Sequence, residues 1–372
     1  MADTFAPHAW QRARPLRHLA AGRVAWVAAL LAFAATATAA TPLRWHVGNG
    51  GWVTTDTCEG CPPTEVRNAA DLAAVTKGPP EKPRTVRIDA KNLCALAPAL
   101  APFHSSLALK LAGAGVGTPG LDPAVARCIV ALAPAAIAFD LHNSAKLSAG
   151  ETELLAQLGF AEAVRIAGAT DAIVAALVQA AHPNLQAFAV DELARVTDAA
   201  AGSLAGVPGL RSLTLANDGI TDSGVAKLGA LAALEDLDLS STRVTGAGLA
   251  RLGGLKVLRK LSLGYVALDN AAMGTLVRVL PHLQVLDLNM APVTDSCLAP
   301  LAKLTALHTL VLDGADISNA ALPHLAKLPA LQFLDVSDTQ VTEKVVAAWA
   351  AAHPRIRTRY TSADTGADDD GY

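Results

Sequence analysis

The stretch that decides the fold is "LEDLDLSSTRVTGAGLARLGGL", residues 234–255. In its first half, leucines alternate with aspartates, which is the period of two of a β-strand with one buried face. In its second half, Leu249 and Leu252 stand three residues apart, which is the spacing of an apolar stripe on a helix. We therefore predict one short strand followed by one short helix.

The same pattern recurs along the chain with a period of 24 or 25 residues. A unit of this length cannot bury its own apolar face, so neighbouring units must stack against one another. Weaker and irregularly spaced copies begin upstream, near residues 83, 104, 134, 161 and 185. Together they predict about eleven parallel strands and a final edge strand at 356–360. The six regular copies begin at Leu210, Leu234, Leu258, Leu283, Leu307 and Leu331.

The strand motif L-x-x-L-x-L, which stands here as Leu234, Leu237 and Leu239, resembles the leucine-rich repeat family. The second half of the unit resembles the subtype that includes cysteine-containing, F-box-associated repeats. The position of that cysteine holds threonine or alanine here, so the resemblance is to a broader, bacterial-style variant. It implies an α/β solenoid shaped like a horseshoe, with a parallel sheet on the concave face and short helices on the convex face. It also implies protein binding on the concave face.

The N-terminus differs from the repeats. Four arginines precede the apolar "VAWVAALLAFAA" and the small-residue run "TATAATP", which is typical of a secretory signal peptide. An uncleaved leader that anchors the chain in a membrane is the alternative, although the apolar stretch of about twelve residues is short for a span of roughly twenty. The predicted organisation is a signal peptide at 1–40, an N-terminal cap with a CxxC at 41–82, a repeat array at 83–360 (irregular over 83–184, regular over 185–355) and an acidic disordered tail at 361–372.

The charge balance limits the kind of partner. The full chain has a net charge of −3, and the leader contributes four arginines and one aspartate, so its removal leaves −6. A mildly acidic chain without a Lys/Arg block argues against nucleic acid as the partner. The alanine content and the preference for Arg over Lys suggest a GC-rich bacterium, so we predict a periplasmic or secreted monomer.

Five cysteines are present. In an exported chain, Cys58 and Cys61 of "CEGC" are candidates for a disulfide, and pairing of either one with Cys94 or Cys128 stays open. A redox site would need a βαβ context, and a zinc site would need a second ligand pair. Cys297 falls at an apolar helix position and is predicted to be a small buried hydrophobe.

Catalytic motifs are missing from the sequence, which has no GxSxG, HExxH or EF-hand pattern. We therefore predict no catalytic residue, metal or cofactor. Outward-facing strand residues are instead predicted to form an acidic concave strip for a basic protein surface, and an ordinary solvated face is the alternative. Two of them are aromatic, a type that is only 4% of the chain and is favoured at binding hot spots. The predicted partner-binding residues are Asp238, Arg259, Ser262, Tyr265, Asp287, Asn289, Asp313, Phe333, Asp335 and Asp338.

The function predicted from these features is that of an exported, non-enzymatic protein–protein interaction module. The alternative is an F-box-like adaptor or effector that selects substrates for ubiquitin ligation. No recognisable F-box precedes the repeats, and the leader argues against a cytosolic role. An enzyme that uses the acidic strip or the CxxC is a third possibility.

Overall fold

A computed structural model of the chain describes residues 45–47, 53–55, 64–66, 69–77, 84–112, 121–140, 149–180, 183–190, 195–216 and 219–361. The predicted signal peptide, the "CEGC" motif and all but the first residue of the predicted acidic tail lie outside these ranges. No helix in the described ranges is both long enough and apolar enough to cross a lipid bilayer.

The main feature is one parallel sheet of thirteen strands, β3 to β15, arranged in sequence order. This confirms the predicted α/β leucine-rich repeat solenoid. The sheet contains one strand more than the sequence predicts, at its N-terminal edge. The strands are β1 (Trp45–Val47), β2 (Val53–Thr55), β3 (Thr64–Val66), β4 (Arg84–Asp89), β5 (Leu107–Ala112), β6 (Ala136–Asp140), β7 (Ala163–Ala167), β8 (Ala187–Val190), β9 (Ser212–Thr214), β10 (Asp236–Asp238), β11 (Lys260–Ser262), β12 (Val285–Asp287), β13 (Thr309–Val311), β14 (Phe333–Asp335) and β15 (Arg357–Arg359).

Short helices return the chain from one parallel strand to the next. Their apolar residues belong to the same hydrophobic cluster as the inward strand leucines, so they pack on one face of the sheet. We call the opposite face the concave face. The α-helices are α1 (Ala69–Val75), α2 (Ala90–Leu100), α3 (Pro123–Leu132), α4 (Ala149–Gln157), α5 (Asp171–Gln179), α6 (Asp198–Leu204), α7 (Asp222–Leu228), α8 (Gly246–Leu249), α9 (Asn270–Val279), α10 (Asp295–Leu298), α11 (Leu322–Leu325) and α12 (Glu343–Ala352), and 3-10 turns extend several of them.

The core repeats with the sequence. Leu237 of β10 pairs in register with Leu213 on one side and Leu261 on the other, and all three side chains are fully buried. Leu249 and Leu252 close the unit from the helix side and are buried as well. Burial of one leucine side chain contributes about 1.5–3 kcal/mol, so a continuous column of leucines holds successive repeats together.

A second column, made of hydrogen bonds, links the helix starts of neighbouring repeats. The hydroxyl of Thr245 accepts a bond from the backbone N–H of Ala247 and so caps α8. Thr245 also donates its backbone N–H to Asp222 Oδ1 at 2.7 Å and its hydroxyl to Asp222 Oδ2 at 2.6 Å. A Cβ on Gly248 would collide with this carboxylate. The same rung joins Asp171 to Thr197, Asp198 to Thr221 and Asp295 to Ser318, and Asn319 binds Thr342 with one oxygen.

The disulfide pairing differs from one that the sequence leaves open. Cys94 of α2 is bonded to Cys128 of α3, with a Cα–Cα distance of 5.4 Å. Pairing of the "CEGC" cysteines with either of them is therefore wrong, because adjacent helices of the solenoid bring these two together first. The prediction for Cys58 and Cys61 falls outside the described residues. Cys297 is free and buried, as predicted.

The first two strands stand apart from the solenoid sheet. β1 and β2 form an antiparallel hairpin that is not hydrogen-bonded to the thirteen-stranded sheet. The hairpin lies against β6, β7, β8 and β9. It falls within the segment that the sequence predicts to be an N-terminal cap, and that role stays a prediction.

Candidate functional site

Three of the predicted carboxylates lie in one row across the concave face. The register pairs Asp238 with Ser262, Ser262 with Asp287, Asp287 with Val311 and Val311 with Asp335. Each aspartate directly precedes an inward Leu or Val, so its side chain points away from the helices. We call Asp238, Asp287 and Asp335 the acidic row.

The other predicted residues lie around the acidic row. Asn289 and Asp313 follow it at the ends of β12 and β13, and the Asn289 amide donates to Asp313 Oδ2 at 3.2 Å. Phe333 occupies the first position of β14 and is buried. Arg259 precedes β11 and is exposed. Tyr265 and Asp338 lie in the turns that follow β11 and β14, and both adopt a positive φ.

The acidic row faces outward but has little contact with solvent. Asp238, Asp287 and Asp335 are only 4%, 6% and 1% exposed. Strands stand about 4.8 Å apart, so an outward side chain is covered by its neighbours on the adjacent strands. An ordinary solvated face, the alternative given by the sequence, therefore does not describe these carboxylates.

Each carboxylate of the row has a structural role that the sequence reasoning missed. Asp238 Oδ1 accepts the backbone N–H of Ser240 at 2.9 Å. Asp287 and Asp335 accept the N–H two residues ahead in the same way, at 2.9 and 3.0 Å. Such bonds are typical of aspartate at the start of a turn, and here they end the strand.

The positive charges near the row only partly balance it. Arg359 Nη1 lies 3.4 Å from Asp335 Oδ2, and Lys260 Nζ lies 3.3 Å from Asp236 Oδ2. Asp238 Oδ2 is buried and makes no hydrogen bond within the described chain. The sequence reasoning missed Lys260 and Arg359, although each stands 24 residues after an outward aspartate and the repeat period could have located it.

The excess of negative charge changes the pKa values of the row. Burial raises the pKa of Asp287 to about 6, helped by the charges of Asp238 and Asp335 and opposed by the N–H of Asn289 and by Lys260. Burial also raises the pKa of Asp238, against its hydrogen bonds from Ser240. For Lys260, burial lowers the pKa, but attraction to the neighbouring carboxylates outweighs burial and the net shift is upward.

An exposed apolar pair stands at the edge of this site. Tyr265 and Met290 occupy the same turn position in adjacent repeats and are 59% and 40% exposed. In the next repeat this position is Gly314, with a φ of 68°. A Cβ on Gly314 would collide with the Met290 sulfur, so the missing side chain makes room for the methionine. The described residues contain no group of three His, Cys, Asp or Glu placed to hold a metal ion.

No protein-family model matches the chain, and no curated protein matches it either. Similar solved structures include an internalin (InlF) from Listeria monocytogenes, with 16% identity and a TM-score of 0.44 over 75% of this chain and 78% of that one. Internalin C2 from the same organism has 23% identity and a TM-score of 0.41 over 58% of this chain and 88% of that one. A TLR13–ssRNA13 complex has 18% identity and a TM-score of 0.41 over 66% of this chain and 41% of that one. At this level of similarity, no site residue is transferable from any of the three.

Proposed function

We propose that this chain is an exported, non-enzymatic leucine-rich repeat protein that binds a basic protein partner on the concave face of β10 to β15. The observation that supports this most is the acidic row with its unbonded, buried Asp238 Oδ2. Burial of a charge without a partner costs stability. Clusters of perturbed carboxylates of this kind are more common at functional sites than elsewhere.

A lysine or arginine from the partner would supply the positive charge that the row lacks. Lys260 is drawn toward Asp236 in the free protein and leaves Asp238 and Asp287 in excess. The exposed Tyr265 and Met290 would provide apolar contact beside the charged site, because aromatic and methionine side chains are favoured in binding surfaces. The partner surface expected from this arrangement has a basic group flanked by apolar residues.

The disulfide supports export. Disulfides persist in oxidising compartments and are rare in the cytosol, and Cys94–Cys128 joins two helices of the array. This favours a periplasmic or secreted protein over the F-box-like adaptor, which would act in a reducing compartment. Cleavage of residues 1–40, retention of the leader as a membrane anchor and the monomeric state stay predictions. Mass spectrometry of the native protein would locate its N-terminus and show whether Cys94 and Cys128 are oxidised.

The binding proposal is tested by titrating a partner, captured from the source organism and identified, against matched variants. Asp238→Asn combined with Asp287→Asn removes charge from the row but keeps the acceptor oxygens. Asp316→Asn is the control, because Asp316 is exposed and lies on a loop where it binds Gln340. We expect the double variant to weaken binding at least about tenfold, or about 1.4 kcal/mol, and to reduce its salt dependence. Equal affinity for the double variant and the control would remove the acidic row from the site.

A further inference from the structure

The composition of the concave face changes along the sheet. From β10 to β15 its outward positions carry mostly charged or polar side chains. On β5 to β8 most of them are alanines, which are at most 3% exposed and form a hydrophobic cluster separate from the main core. We call this cluster the alanine surface: Ala108, Ala136, Ala138, Ala163, Ala187 and Ala189.

The hairpin of β1 and β2 accounts for the burial of the alanine surface. β1 lies against β7, β8 and β9, and β2 lies against β6 and β7. Each of these four sheet strands is paired on both sides, so none offers an edge. The helices occupy one face, and the hairpin must therefore form a second layer on the concave face.

The match between alanine and hairpin has a physical reason. A second layer packs closely on a curved sheet only where the outward side chains are small, and alanine is the smallest residue with a Cβ. The contact is also weak for its extent, because a methyl group buries little apolar area. A two-stranded hairpin has marginal stability on its own, and strands of three residues add few hydrogen bonds.

We propose that the alanine surface is a docking site occupied by the chain's own hairpin, and that the hairpin leaves it as a unit while the solenoid stays folded. The concave face then has a closed half under the hairpin and an open half from β10 onward. Release of the hairpin would expose a second, apolar binding surface next to the acidic one. This proposal does not depend on the identity of the partner or on the role of the acidic row.

Thiol labelling in urea tests the proposal within one molecule. Ala187→Cys places a thiol on β8, against which β1 lies, and Ala138→Cys places one on β6, against which β2 lies. Cys297 is the internal control, because it is buried in the main core. The full-length variants are treated with a maleimide at increasing urea, each labelled site is located by mass spectrometry, and circular dichroism follows the solenoid.

We expect both new thiols to be labelled at urea concentrations where the dichroism is still native and Cys297 is still protected. Labelling of the new thiols together with Cys297 would overturn the proposal, because the hairpin would then belong to the cooperative core. Labelling without urea, as fast as that of a free cysteine, would also overturn it, because nothing would cover the surface. The second variant decides if the first does not fold.

Discussion

The hydrogen bonds between repeats give the sharpest prediction about stability. Asp222 follows the cap of α7, and its two carboxylate oxygens accept the backbone N–H and the hydroxyl of Thr245 in the next repeat. Asp222→Ala removes both bonds. It also removes a negative charge from the first turn of α7, where such a charge is stabilising. The two effects can be separated with a second position in the same chain.

The magnitude follows from the surroundings of the rung. A hydrogen bond to a charged group contributes about 1.5–3 kcal/mol, but Thr245 is exposed, and water can replace the lost acceptor. We therefore take the lower end and expect about 2 kcal/mol for the two bonds together, with about 0.3–1 kcal/mol more from the helix dipole. Asp222→Asn should cost about half as much, because its remaining oxygen still accepts the N–H, as Asn319 does for Thr342.

Urea unfolding followed by circular dichroism measures this loss. The matched control is Glu343→Ala. Glu343 also directly follows its helix cap, but it lies in the last helix and binds no later cap in the described chain. We expect the control to lose only the dipole contribution. Equal losses for Asp222→Ala and Glu343→Ala would refute the rung as a source of stability.

Three further predictions use the same assay. Leu239→Ala removes a fully buried strand leucine and should cost about 2–5 kcal/mol. Gly248→Ala should cost nearly as much as Asp222→Ala and should add little to it in the double variant, because the new Cβ displaces the Asp222 carboxylate. Asp287→Asn should stabilise the protein at about pH 7.5 by up to about 3 kcal/mol, from a pKa of about 6 against 3.8. The folded state binds more protons than the unfolded state between these two pKa values, so the contribution of Asp287 falls as pH rises through that window.

Each of these predictions has an outcome that would contradict it. An unchanged unfolding midpoint for Leu239→Ala would place that side chain outside the core. Additive losses for Gly248→Ala and Asp222→Ala would mean that the two residues act separately. If Asp287→Asn shows the same dependence on pH as the unchanged protein between about pH 5 and about pH 7.5, Asp287 does not titrate in this range.

The repeat architecture was predictable because it depends on local spacing. A period of 24 or 25 residues and the alternation of leucine with polar residues determine the strands, the register and the outward direction of Asp238. The burial of Asp238 was not predictable in the same way, because it depends on side chains of neighbouring strands. The positions of Lys260 and Arg359 follow from the same period, so they were within reach of the sequence.

Features outside the repeat pattern could not be read from spacing. The Cys94–Cys128 bond joins helices in the irregular half, where the distance between copies varies. The position of the β1–β2 hairpin depends on contacts with strands more than a hundred residues away. The alanines beneath it look like ordinary small residues in the sequence, and only their common face shows that they form a surface.

The central claim is that the acidic row takes up a positive charge from the partner. Calorimetric titration of the identified partner near pH 6, in buffers of different ionisation enthalpy, tests it most directly. If a cation approaches Asp287 and Asp238, their raised pKa values fall and protons are released on binding. We expect a binding heat that varies with the buffer in the unchanged protein and varies much less in Asp287→Asn. A heat that is independent of the buffer in both proteins would contradict the claim.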